Sequence, residues 1–293
     1  MIDATVIAAQ AVHFAAVFAL FGASLFRLYA PPPAPIAARF GRALAKLLRA
    51  AAVLAALSAL AWWVCLAASL GGGWGDAVNT DVLVAVLLDT EFGQVWIWRL
   101  ALLAVAIGMV RWLRPSAVTN TAIVVVAGLV VATLAGVGHA PHAGIPDEIG
   151  IGAKAAHLLA AGAWLGGLLP LGYALRRAAT GEAAWRELAW QALPRFSSMG
   201  YFAVTFILFT GCVLAWSHVE SFAALTGTSY GRVLVAKILL FLLMTAVALR
   251  NRYWLMPART LPALARGVAV EQAVGAAIVI ATALLASLPP AHG

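Results

Sequence analysis

Apolar residues in this chain run in unbroken blocks of roughly 20 residues or more, the length a helix needs to cross the hydrocarbon of a bilayer. The blocks lie at about 4–29, 44–70, 92–113, 117–137, 152–175, 197–217, 232–254 and 268–288, with ends read to within a few residues. Within each block the apolar residues are continuous. Barrel strands would instead alternate apolar and polar positions, so only helices fit. The predicted fold is all-α: a polytopic membrane helical bundle of eight transmembrane helices. It forms one transmembrane domain over residues 1–293, with no internal repeat and no soluble linker.

Composition excludes the alternatives. Only 10% of residues are charged, against about 25% in a soluble domain. A net charge of +8 would suggest nucleic acid in a soluble protein. Here the basic residues stand in short loops between apolar blocks, where they act as topology signals. The two cysteines, Cys65 and Cys212, lie inside apolar stretches, so there is neither a disulfide framework nor a CxxC metal motif. Asp3 stands where a signal peptide would carry a basic region, and the first apolar run is too long, so no cleavable leader is predicted.

Loop charge sets the orientation. Arg27, Arg39, Arg42, Lys46 and Arg49 follow the first span, Arg111 and Arg114 the third, Arg176, Arg177, Arg186 and Arg195 the fifth, and Arg250, Arg252, Arg259 and Arg266 the seventh. The intervening loops carry Asp76, Asp81, Asp89 and Glu91, then Asp147 and Glu148, then Glu220. The basic loops are therefore expected in the cytoplasm and both termini in the periplasm.

On this topology all the histidines fall on the non-cytoplasmic side. His139 and His142 sit in the loop before the fifth span, His157 about one turn inside that span, His218 at the outer end of the sixth, and His292 in the tail. His13 lies inside the first span. Several imidazoles at one membrane face suit capture of a transition metal. Pro141 splits His139 from His142, so this pair is a loop, read equally as a ligand pair or as a polar turn. The metal candidates are His13, His139, His142, His157 and His218. For His13 the competing reading is an interhelical hydrogen bond that glues the bundle.

Supporting polar candidates are Gln10, three residues before His13, Trp164, two turns below His157, and the intramembrane cations Arg99 and Lys237. Arg99 is expected to face protein rather than lipid, paired with Asp89, Glu91, carbonyls or an acidic cofactor. Cys65, Cys212 and Met244 could provide a soft-ligand path for Cu(I), although sulfur in an apolar span is usually packing. Glu271 and Gln272 either line an exit or sit at the interface. Trp62, Trp63, Trp74 and Trp216 read as an aromatic belt. No GxxxxGK[ST] motif is present, so any transport is passive or ion-coupled.

Several segments then carry a resemblance. They are RFSSMGYFAVTFILFTGCVLAW and LTGTSYGRVLVAKILLFLLMTAVALRNRYWLMP, with Arg195, Phe196, Ser197, Gly211, Tyr230, Gly231, Lys237 and Asn251 as the matching positions. GHA at 138–140, HLLAAGAWLGGLLPL at 157–171, TEFGQVWIWRL at 90–100, and His13 with Phe14 add to it. Together they resemble the copper resistance D (CopD) family, most strongly over a core of about 195–257. The resemblance implies a multi-pass protein of the bacterial inner membrane in copper homeostasis. It would be a transporter rather than an enzyme, moving copper ion from periplasm to cytoplasm. Its partners would be membrane lipid and a separate periplasmic carrier of the CopC type, with no nucleic acid. The alternative is a membrane redox protein, an electron carrier or cupric reductase, whose intramembrane histidines hold haem b.

Overall fold

The computed structural model describes residues 2–137, 146–218 and 222–289. His139, His142 and His292 lie outside the described residues, and of His218 only the backbone is described. The α-helices in chain order are α1 (Ile2–Tyr29), α2 (Ala34–Gly71), α3 (Thr80–Leu88), α4 (Glu91–Trp112), α5 (Ala117–Ala132), α6 (Asp147–Ala179), α7 (Ala183–His218), α8 (Phe222–Gly227), α9 (Ser229–Arg250) and α10 (Leu261–Ser287). There is no strand among the described residues. Eight helices are long and apolar enough to cross a membrane, all but α3 and α8.

Several helices outrun the apolar blocks that predicted them. α2 begins at Ala34, directly after the Pro31–Pro33 run, with Pro35 in its first turn, where proline's missing N–H costs nothing. α7 begins at Ala183 and passes through Pro194. These extensions are amphipathic rather than wholly apolar. Their buried faces meet each other: Phe40 on α2 packs edge-on against Trp185 on α7 at 6.2 Å, and Phe26 of α1 lies 6.2 Å from Phe40. Arg39 pairs with Glu182 in the turn before α7, and Arg195 Nη1 donates to the Tyr29 carbonyl at 2.9 Å. The end of α1, the start of α2 and the α6–α7 turn therefore share one end of the bundle.

That end is basic. Arg27, Arg111, Arg176, Arg177 and Arg250 occupy the last turns of α1, α4, α6 and α9, while Glu91, Asp147 and Glu148 occupy first turns. Each charge complements the local helix dipole. At the acidic end, Lys154 Nζ donates to the Val137 carbonyl at 2.5 Å, and Ser287 Oγ donates to Gln10 Oε1 at 3.1 Å.

The centre of the bundle is the crossing of α1 with α6. A Cβ on Gly166 would run into the Phe18 carbonyl oxygen, and one on Gly22 into the backbone of Gly162, Gly166 and Gly167. The two backbones touch because these positions carry no side chain. Around this seam, α2 and α5 pack on α1, α7 packs on α6, and α10 packs on both. α9 packs mainly on α10, leaving Ile238, Leu239, Leu242 and Leu243 exposed, as lipid-facing residues should be. Replacing Gly166 with leucine should force α1 and α6 apart, at the cost of about 1–3 kcal/mol typical of overpacking, or more. A drop in the thermal midpoint and in monodisperse yield on size exclusion would show it. A Gly166→Leu variant of unchanged stability would mean the helices do not meet there.

Candidate functional site

His13 is fully buried on α1, facing α2 and α4. Its Nδ1 lies 3.0 Å from the Ala55 carbonyl and 3.1 Å from Ser58 Oγ. Its Nε2 lies 2.8 Å from Arg99 Nη1. A guanidinium only donates, so Nε2 accepts; Nδ1 then carries the ring proton and donates to Ala55. Both ring nitrogens are engaged and the imidazole is neutral. The sequence permits this because α2 presents Ala51, Ala52, Ala55 and Ala59 on its buried face. With no bulk there, the ring reaches the helix backbone.

Arg99 is fully buried, as expected for a residue facing protein, but its partner is neither Asp89 nor Glu91. Its Nε and Nη2 have no hydrogen-bond partner among the described residues, and its Cζ lies 5.1 Å from the Trp96 ring centroid. The ring quadrupole supplies part of what an anion would. Trp96 is anchored by its Nε1–H to the Ala59 carbonyl at 3.2 Å. Trp62 and Trp96 stand 6.0 and 5.8 Å from the His13 ring. Trp62 is thus core, and only its neighbour Trp63 reaches the helix edge, donating to the Leu83 carbonyl at 3.3 Å.

His157 occupies a different place. It is half-buried on α6, and its Nδ1 lies 3.0 Å from Thr210 Oγ1 on α7. The Thr210 hydroxyl donates to the Phe206 carbonyl, so it accepts from Nδ1–H. The Ile207 backbone is a second hydrogen-bond partner within reach of the ring, and Nε2, which carries the lone pair, takes no part in the bond to Thr210. A Cβ on Gly211 would come within ordinary contact of the ring, at 3.7 Å from Cε1. Lys237 of α9 is half-buried and within electrostatic reach of His157. Trp164, further along the same helix, stacks edge-on with Phe241 at 6.2 Å, and its indole is within hydrogen-bonding reach of Glu271.

The expected gathering of histidines is therefore only partly visible. His13 and His157 have no neighbour in common among the contacts above. No group of three or more His, Cys, Asp or Glu residues suited to a metal occurs among the described residues. Gln10, expected beside His13, is turned to Ser287 on α10 instead. Cys65 and Met244 are buried, in separate helices, while Cys212 is exposed. Bis-imidazole haem ligation is not favoured either, since His13 has no uncommitted nitrogen. Sequence reasoning missed Ser58 and Thr210, single hydroxyls whose only signal was their place in an apolar run.

Comparison with known proteins now adds to the geometry. Residues 1–145 match the family model described as copper resistance protein D-like, N-terminal domain, and residues 190–285 match copper resistance protein D. Inner membrane protein YebZ of Escherichia coli (strain K12) is 34% identical over 99% of this chain and 100% of its own length. The chain belongs to the copper resistance D family. Copper resistance protein D of Pseudomonas syringae pv. tomato is 29% identical over 82% of this chain and 78% of its own length. Copper transport protein CutJ of Bacillus subtilis (strain 168) is 29% identical over 76% of this chain but only 41% of its own length. No solved structure matches the chain.

The two family segments divide the polar sites. Ala55, Ser58, Trp96, Arg99 and His13 all fall in the first, whereas Thr210, Lys237 and Glu271 fall in the second. His157 stands on α6 between the two segments and contacts the second. In this member of the copper resistance D family, His13 and Arg99 depend on each other. His13→Ala should cost about 1–3 kcal/mol, the penalty for stripping a buried donor of its acceptor. Combining it with Arg99→Gln should cost less than the sum of the two single changes, because the same interaction is lost in both. Unfolding of the four proteins in one detergent measures the coupling. Strict additivity would mean the two side chains do not interact.

Proposed function

We propose that this chain moves copper across the inner membrane from periplasm to cytoplasm, taking the ion first at an imidazole site near the acidic end, centred on His157. One observation carries this reading: the His157 ring is held by Thr210 in the tautomer that puts its lone pair on Nε2. A metal-binding imidazole commonly donates its other N–H to a fixed acceptor, which sets the ring's orientation and raises its basicity. His13 has no free lone pair of that kind. Copper reaching His13 would have to displace the Arg99 guanidinium, one cation replacing another, so His13 acts later than His157 or acts structurally.

The relatives support the cargo: one is named a copper transport protein and another a copper resistance protein. The loop charges support the orientation, with the basic end toward the cytoplasm, so that the His157 end faces the periplasm where the ion is taken up on this reading. His139, His142 and His218 stand next to this end in sequence and are the proposed further ligands. A separate CopC-type carrier is the proposed donor.

Copper accumulation in cells, read by elemental analysis at matched protein level with zinc as control metal, tests the reading. His157→Ala should lower copper content and leave zinc unchanged. Thr210→Val keeps the imidazole but frees it to turn, and should weaken copper binding by about 10–100-fold. Equal copper content in wild type and a folded His157→Ala protein would overturn the proposal.

A further inference from the structure

A second polar site lies toward the basic end. There α6, α7, α9 and α10 surround a cavity of about 100 Å³. Glu271 of α10 lines it, only 3% exposed. Asn251 Nδ2 donates to Glu271 Oε1 at 2.7 Å, and the Trp164 indole approaches the same carboxylate. Asn251 is seated against α10 at Gly267, where a Cβ would strike its carboxamide. Asn251 also opens a π-helical turn, Asn251–Leu255, at the end of α9. Such turns are rare, and they concentrate at functional sites.

Three residues of the lining carry a buried polar atom with no hydrogen-bond partner among the described residues: Thr245 Oγ1, Asn251 Oδ1 and Arg252 Nη1. Leaving each buried and unpaired would cost about 1–3 kcal/mol. Water would satisfy them, and a space of about 100 Å³ is well above the roughly 10–15 Å³ that one molecule needs. Most of the remaining lining is apolar, including Leu171, Phe196 and Val268. Toward the acidic end, Phe241 stacked on Trp164 stands between this cavity and the His157–Lys237 pair.

We infer that Glu271 is a proton-binding site, loaded through this hydrated cavity from the basic end of the bundle. A hydronium ion in the cavity passes its proton to a carboxylate oxygen and becomes water; the reverse step returns it. The polar groups that face the cavity are Trp164 on α6, Ser197 and Tyr201 on α7, Thr245 on α9, and Asn251 and Arg252 after it. Among the described residues Arg252 is the one other charged side chain in the lining, and α1 brings no titratable group to it. Resting on the transport reading above, proton binding here supplies the ion coupling that, of the two modes open to a chain without a nucleotide motif, passive or ion-coupled, the second needs.

Infrared difference spectroscopy of the full chain in lipid nanodiscs tests the inference without copper. Wild type should show a protonated-carboxyl band that responds to bulk pH and shifts on exchange into heavy water. Glu271→Gln, which keeps the acceptor for Asn251, should lose that band while eluting as a folded protein. Ala248→Phe fills the cavity wall without touching the carboxylate and should slow the exchange. A wild-type spectrum with no pH-responsive buried carboxyl band, or a band unchanged in Glu271→Gln, would overturn the inference. Proteoliposomes carrying a pH dye form a separate arm. Copper movement with proton movement in wild type, and copper movement alone in Glu271→Gln, supports coupling. Absence of copper movement in wild type would sink the transport reading, and the infrared result would still decide whether Glu271 binds a proton.

Discussion

In hydrocarbon no water is available to an N–H or a C=O, so each span must satisfy its own backbone. The rest of the structure depends on that constraint. It makes every span a helix, and it leaves polar side chains only the neighbouring helices as partners. His13 finds the α2 backbone and Arg99, His157 finds Thr210, Asn251 finds Glu271, and Gln10 finds Ser287. These pairs join different helices, some consecutive and some far apart in the chain, and they form where small residues let helices come close. The α1–α6 contact at Gly22 and Gly166 is the tightest case, and the alanine face of α2 is another.

The polar groups are distributed unevenly through the bundle. His13 and Arg99 lie enclosed among Trp62 and Trp96, with every imidazole nitrogen committed. His157 lies on α6, half-buried, with Nε2 outside its bond to Thr210. Glu271 and Asn251 border a cavity whose unpaired atoms call for water. An enclosed pair fixes structure or yields only to a competing cation, whereas the other two sites can accept something from outside. On the proposed reading, copper enters at one and a proton at the other, with Phe241 and Trp164 between them.

Much of the architecture was legible in the sequence, because apolar block length and loop charge are local properties. The short helices α3 and α8 were not seen, since neither crosses a membrane nor carries a long periodic face. α2 and α7 begin before the apolar blocks at 44–70 and 197–217 because hydropathy reports immersion in lipid, whereas a helix continues past the membrane wherever its amphipathic face finds a partner. Phe40 and Trp185 are those partners.

The sequence by itself determined eight helices, their alternating charge, the family resemblance and the presence of ionisable groups in the spans. Each follows from composition over a window of residues. Only the tertiary structure decided that Arg99 pairs with His13 and not with an acid, that Gln10 turns away toward Ser287, and that Thr210 sets the His157 tautomer. A polar side chain in a helix is constrained by its face and depth. Which partner stands at that depth depends on how two or three helices rotate and cross, and contact at the small residues fixes that only when the whole bundle has closed.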